Sequence, residues 1–207
     1  MPPAEARTTA IDNAITFYVA GHETTAVALA WSAYLFAAQP GLQEELRAEA
    51  VAALEGDIGT IADRLPQLRL FLDEAMRLYP PVAQIVREAL ADDDMCGVTV
   101  KKGEVIVVYP WLVHRHRKLW ENPDAFDMAR FSEPNRSKLH RFQYLPFGAG
   151  PRICVGARFA TVEALIILAH WLAARRFSLP EGPVSMPTGT VTLRPTDGMR
   201  LRVEPLD

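Results

Sequence analysis

Phe147 to Gly156 reads FGAGPRICVG and places Cys154 in a glycine-rich loop just ahead of an apolar helical pattern. Gly148, Gly150 and Gly156 allow positive φ and close approach of the backbone to a flat object. The helix that follows, expected over 157–175, turns its first amides and its dipole toward the sulfur. Both favour the thiolate, which is the form that ligates metal. A lone buried cysteine is usually a small hydrophobe. The ordered pattern Phe-Gly-x-Gly-x-Arg-x-Cys-x-Gly argues for more, because every position fits one task. A second oddity is AGHETTA, Ala20 to Ala26. Gly21 and two β-branched threonines are poor residues for a helix interior, and His22 and Glu23 interrupt an apolar run. Such breaks of a local rule are expected at functional sites. The plain alternative is a core helix with one solvated polar face.

The elements that must position these residues can be read from periodicity. Ala10 to Ala38 reads as one helix, roughly 45 Å long at 1.5 Å per residue. Apolar residues lie on nearly every side, so it is expected to run through the core. Gln43 to Glu55 is amphipathic, with Leu42, Leu46, Ala50 and Leu54 on one side. Pro66 to Tyr79 is a third helix, stopped by Pro80-Pro81. Within it Glu74 and Arg77, at i and i+3, can meet on one face, by pattern alone an ordinary surface ion pair. Val98 to Val108 reads as a hairpin turning at Lys102-Gly103, and Val191 to Val203 as a weaker strand pair around Asp197-Gly198. Trp111 to Tyr144 is an aromatic, polar meander with little periodicity. No internal repeat or low-complexity linker divides the chain.

FGAGPRICVG resembles the haem-binding loop of the cytochrome P-450 superfamily at all six fixed positions, Phe147, Gly148, Gly150, Arg152, Cys154 and Gly156. The resemblance implies haem b with Cys154 as proximal iron ligand, a thiolate that favours O–O cleavage. It places Phe147 beside the haem and pairs Arg152 with a propionate. AGHETTA is similar to the family's distal-helix motif. By that likeness Ala20 and Gly21 lie against the haem face, Thr24 and Thr25 break the helix ladder into a small groove, and Glu23 with Thr24 relays protons to dioxygen, as an acid beside a hydroxyl can. Glu74-Ala-Met-Arg77 resembles the family's Glu-x-x-Arg pair, which with Arg130 of Met128-Ala129-Arg130-Phe131 would lock the meander behind the cysteine loop. There the family's proline and glutamate are replaced by Met128 and Ala129. Arg87 stands where the family often has a second propionate arginine, although a surface arginine explains it as well. His114-Arg115 resembles the family's His-Arg element, which would put His114 on the propionate side. Gln84 to Val86 would run along the haem, and their character favours an apolar substrate.

The implied fold is mainly α with small β-hairpins (α+β), a single partial domain over 1–207 equivalent to the C-terminal half of the P-450 fold, from the long distal helix to the last strands. The implied function is a haem-thiolate monooxygenase that inserts one atom of O2 into an apolar small molecule. Electrons would come from NAD(P)H through a separate ferredoxin or flavoprotein reductase, since no flavin or iron–sulfur motif occurs. The alternatives are a truncated, non-catalytic haem-binding chain and an unrelated helical binding module with an inert Cys154. Composition sets the outer limits. A hydrophobic share of 49% and a charged share of 23% are ordinary for a soluble globular protein, and a net charge of −3 gives no reason to expect nucleic acid. Two cysteines, Cys96 and Cys154, make no disulfide framework and suit a reducing compartment. No signal is present, and the apolar runs Val27 to Ala38 and Ala164 to Ala174 read as too short to span a bilayer, so a cytoplasmic location without a membrane segment is expected. His114, His116 and His140 lack the spacing of a zinc site.

Overall fold

The structure, a computed structural model, describes residues 3–189 and 191–206, with side chains from Glu5 onward. α1 (Pro3–Ala38) is one unbroken helix of 36 residues. Pro40 occupies the first turn of α2 (Pro40–Leu54) and Pro66 that of α3 (Pro66–Leu78), positions where a missing N–H costs nothing. Tyr79 ends α3, because the residue before a proline is pushed out of the helical region. α4 (Pro110–Val113) is a single turn, and α5 (Ala157–Ala174) starts immediately after the cysteine loop.

One apolar core joins these helices. Phe36 of α1 stacks on Phe71 of α3 with ring centroids 4.4 Å apart. Leu46 and Ala50 of α2 meet Leu165, Leu168 and Leu172 of α5 in the same cluster. By length and composition α5 is apolar enough to cross a membrane, contrary to the reading of that run as too short, but Ala164, Leu165, Leu168, Ala169 and Leu172 are buried in this core. α1 departs from expectation. Only its second half is buried, from Val27 onward, while Ile15, Phe17 and Tyr18 are 57%, 61% and 72% exposed. In the core cluster α1 contributes only residues between Leu29 and Ala37.

The strands pair differently from the sequence reading. β1 (Ile85–Glu88) pairs antiparallel with β4 (Val105–Val108), and β2 (Asp93–Met95) with β3 (Val98–Val100). Val98 to Val108 is therefore not one hairpin. Its Lys102-Gly103 turn only carries the chain from one two-stranded sheet to the other. The true tight turn is Cys96-Gly97, with φ of 57° and 86°. Near the C-terminus the same error recurs. β5 (Arg175–Ser178) pairs with β8 (Arg202–Pro205), and β6 (Pro187–Thr188) with β7 (Arg194–Pro195), so the strands flanking Asp197-Gly198 pair elsewhere. Local turn signals were right; long-range partners set the pairing.

The segment around β7 straps three parts together. Thr192 bridges Val82, the Val191 carbonyl accepts from the Ala83 N–H, and the Leu193 carbonyl accepts from the Trp31 indole at 2.7 Å. This fixes the chain leading into β1 against α1.

Candidate functional site

A cavity of about 1010 Å³ lies between α1 and the cysteine loop. Ala20, Gly21, Thr24 and Thr25 line one wall. Phe147, Gly148, Arg152, Cys154 and Gly156 line the other, with Phe159 and Ala160 of α5. Gln84 to Arg87, leading into and along β1, close the side. Sequence motifs more than a hundred residues apart thus share one chamber.

The cysteine loop is built by backbone geometry. Gly148 and Gly150 have φ of 73° and 74°, where a side chain would be strained. The Cys154 N–H donates to the Phe147 carbonyl at 3.0 Å and closes the loop on itself. Gly156 differs from expectation. Its φ is −88°, and it precedes α5 as the N-cap residue. A Cβ there would sit 3.9 Å from the Cys154 sulfur, an ordinary contact, so neither backbone strain nor crowding requires glycine at this position. Cys154 is exposed to the cavity, and Cys96 is exposed on its distant turn.

On the facing wall, α1 stays helical through AGHETTA, so the threonines do not interrupt the ladder as the resemblance implied. Instead the Thr24 hydroxyl donates to the Ala20 carbonyl at 2.8 Å, one turn back. Its lone pairs remain free to accept from the cavity. A side chain added at Gly21 would meet nothing within 4 Å, so the wall is open there. Glu23 does not line the cavity. Its carboxylate takes Arg194 Nε at 2.7 Å and the Thr192 hydroxyl, on the strap. These two hydrogen bonds hold the Glu23 carboxyl below its ordinary value. Arg194 and Thr192 had no sequence signal, because their partner lies about 170 residues earlier.

Arg87 and Arg152 line the cavity and form no ion pair among the described residues. Two unpaired guanidiniums beside an apolar chamber fit a ligand with two carboxylates. Together with an exposed thiol and a glycine-lined wall, the residues suit a flat, dianionic, metal-bearing group. No group of three or more His, Cys, Asp or Glu able to hold a metal occurs among the described residues, so Cys154 would be a lone protein ligand.

Behind the loop sits the polar network. Glu74 and Arg77 are fully buried, not a surface pair. Arg77 Nε and Nη2 donate to Glu74 at 2.6 and 2.8 Å. Its other donors take the carbonyls of His114, Pro123 and Ala125 at 2.7–3.0 Å. The Asp127 N–H donates to Glu74 at 2.8 Å. Burial pushes the Glu74 carboxyl up, with the Arg77 hydrogen bonds pulling back. Arg130 approaches Glu74 at 3.5 Å through a buried Nε that has no hydrogen-bond partner, so it is the loosest member of the trio.

His114 stands apart from the expected propionate side. It is absent from the cavity wall and fully buried beside Arg77. Its Nδ1 is 3.2 Å from the Arg77 carbonyl, and its Nε2 accepts from the Leu145 N–H at 2.8 Å. A polar backbone group on each side of the ring explains the burial. Asp73 and Tyr144 complete the network unannounced. The Tyr144 hydroxyl donates to the Asp73 carbonyl at 2.8 Å, and the Asp73 carboxylate pairs with Arg69 and Arg136 at 3.1 and 2.9 Å.

A sequence profile described as Cytochrome P450 matches residues 7–202. The chain is 33% identical over 207 residues to Protein LUTEIN DEFICIENT 5, chloroplastic, of Arabidopsis thaliana, an alignment spanning 95% of this chain and 35% of that protein. It is 34% identical to Cytochrome P450 4B1 of Homo sapiens, over 92% of this chain and 38% of that one. Among solved structures, the cytochrome P450DA heme domain superposes with a TM-score of 0.85 at 34% identity, covering 93% of this chain and 43% of that chain. A retinoic acid bound cyanobacterial CYP120A1 gives 0.86 at 27% identity, covering 93% and 45%. The chain spans between about a third and a half of the length of the relatives it matches. With its profile matched almost end to end and its α+β fold shared, this chain belongs to the cytochrome P450 family.

Proposed function

We propose that this chain provides the haem-thiolate centre of a monooxygenase that acts on an apolar small molecule. The observation that carries the reading is the convergence of Cys154, two unpaired arginines and the Ala20–Thr24 wall on one apolar chamber. Cys154 would hold the haem iron. Arg87 and Arg152 would each offset a propionate, whose charge is costly to bury unpaired. The haem, once bound, supplies the redox chemistry that activates dioxygen.

The chain's own residues would orient and supply protons. Gly21 would leave the chamber wall open to a small diatomic molecule. Thr24 presents lone pairs to the chamber and can rotate from the Ala20 carbonyl to donate. Glu23, once released from Arg194, would take up a proton from solvent and pass it on to that hydroxyl. Gln84, Ile85 and Val86 would bound the substrate, and their mostly apolar surface selects against charged molecules. Electrons from NAD(P)H would arrive through a separate ferredoxin or flavoprotein reductase.

The test is turnover with isotopically labelled dioxygen, haem, a reductase and an apolar substrate. One labelled atom in the product and one in water supports the reading. Haem binding with electron uptake and no labelled product would favour a non-catalytic haem-binding chain instead.

A further inference from the structure

Cys154 can only be as well placed as the start of its loop, and two adjacent residues there are tied down, one to α3 and one to His114 at the end of α4. The first tie is Tyr144, whose hydroxyl reaches Asp73. The second is Leu145, whose N–H reaches His114 Nε2 at 2.8 Å. Arg77 and His114 also hold each other. The Arg77 guanidinium donates to the His114 carbonyl at 2.8 Å, and the Arg77 carbonyl faces His114 Nδ1. The His114 and Tyr144 rings lie 5.3 Å apart, so the ties share one packed unit. Two residues beyond Leu145, the Phe147 carbonyl receives the Cys154 N–H. A shift at Leu145 therefore passes through Phe147 to the sulfur.

We infer that His114 is a positioning residue that keeps the cysteine loop seated for thiolate ligation, by linking the Leu145 N–H to the Arg77 carbonyl. It rests on the haem-thiolate reading for its consequence, though not for the link itself. The geometry fixes one tautomer. Nδ1 carries the proton and donates to Arg77, while Nε2 is bare and accepts from Leu145. A protonated ring would turn Nε2 into a second donor against the Leu145 N–H. It would also add a cation beside Arg77 and Arg115. Of the carboxylates on the elements around it, Glu74 is engaged by Arg77, Asp73 by Arg69 and Arg136, and Asp124 by Arg115, and the Tyr144 ring lies against it. Burial agrees, lowering the His114 pKa to about 3.

The experiment needs no haem for its first half. Nitrogen NMR of the imidazole is expected to show a bare Nε2, with no titration between pH 8 and roughly pH 4. Exchange of the Leu145 amide should quicken about tenfold in His114→Phe, which keeps the ring and removes the acceptor, while core amides of α3 and α5 hold their rates. His114→Gln, which can place an oxygen near the Leu145 N–H, should restore most of the protection. A ring that titrates near its ordinary value, or a Leu145 amide indifferent to both substitutions, overturns the inference. If His114→Phe fails to fold, the NMR tautomer of the parent and the exchange in His114→Gln still decide it. With haem added, the CO-bound thiolate band of the parent should give way to a thiol-type band in His114→Phe and return in His114→Gln. Equal thiolate bands in all three would overturn the positioning role while leaving the haem-thiolate reading intact. A parent without any thiolate band would instead overturn that reading.

Discussion

Thr24 has one proton to give and two places to give it. Its hydroxyl donates to Ala20 within α1, and its lone pairs face the chamber. Losing it should not impair haem binding or electron uptake, because neither needs a proton on that wall. In a full-length relative carrying this segment, Thr24→Ala should keep NAD(P)H consumption while product falls and hydrogen peroxide rises. Tight coupling of electrons to product in that variant would remove Thr24 from the chemistry. Glu23 is a different case, since Arg194 and Thr192 turn it away from the chamber. Their bonds lower its pKa, so its charged form is favoured and is lost only as pH falls below the ordinary carboxyl range. Arg194→Gln should raise the Glu23 titration midpoint in a carbon NMR titration. An unchanged midpoint would mean that the pairing does not govern the acid.

At the scale of elements, α3 is the beam on which the site hangs. Its polar side reads as solvated in the sequence, yet Asp73, Glu74 and Arg77 are all buried. The meander covers them, and three Arg77 hydrogen bonds, to the carbonyls of His114, Pro123 and Ala125, hold it there. Arg77→Ala would leave Glu74 buried with only Arg130 at 3.5 Å and the Asp127 N–H. That should cost on the order of 3–5 kcal/mol, seen as loss of soluble protein or a matching drop in denaturant midpoint. A midpoint like the parent's would show that the meander is held by packing alone. The same element shows what was legible. Pro66 and Pro80 set its ends, and the Glu-x-x-Arg spacing marked a pair. Its burial was not legible, because periodicity reports faces and not what arrives later to cover them. Most of the cysteine loop was readable, Gly156 excepted, since its constraints are local: positive φ at Gly148 and Gly150 and a helix starting at Ala157. His114 was misplaced on the propionate side because its partners, Arg77 and Leu145, are set by tertiary packing. The strand pairings failed for the same reason, although the turns were right.

Across the whole molecule, burial is uneven. The packed end holds Phe36, Phe71, Leu168 and Leu172, each 1% exposed or less, while the first half of α1 carries Ile15 and Phe17 in the open. Within this chain, Ile15→Lys should change stability by less than about 0.5 kcal/mol, as exposed positions do. Phe36→Ala should cost about 3–5 kcal/mol. Denaturation of both variants checks the contrast, and a large penalty at Ile15 would mean that the open half is covered in solution. The chamber lies where these two regimes meet, between the open stretch of α1 and the braced cysteine loop. The function proposed for it requires that Cys154 bind the haem iron. The direct measurement is the absorption spectrum of the haem-reconstituted, reduced, CO-treated chain beside Cys154→Ser and Cys96→Ser. A thiolate-type Soret band in the parent and in Cys96→Ser, absent from Cys154→Ser, is the result predicted. An imidazole-type band in the parent, or a thiolate band that survives in Cys154→Ser, would contradict the account.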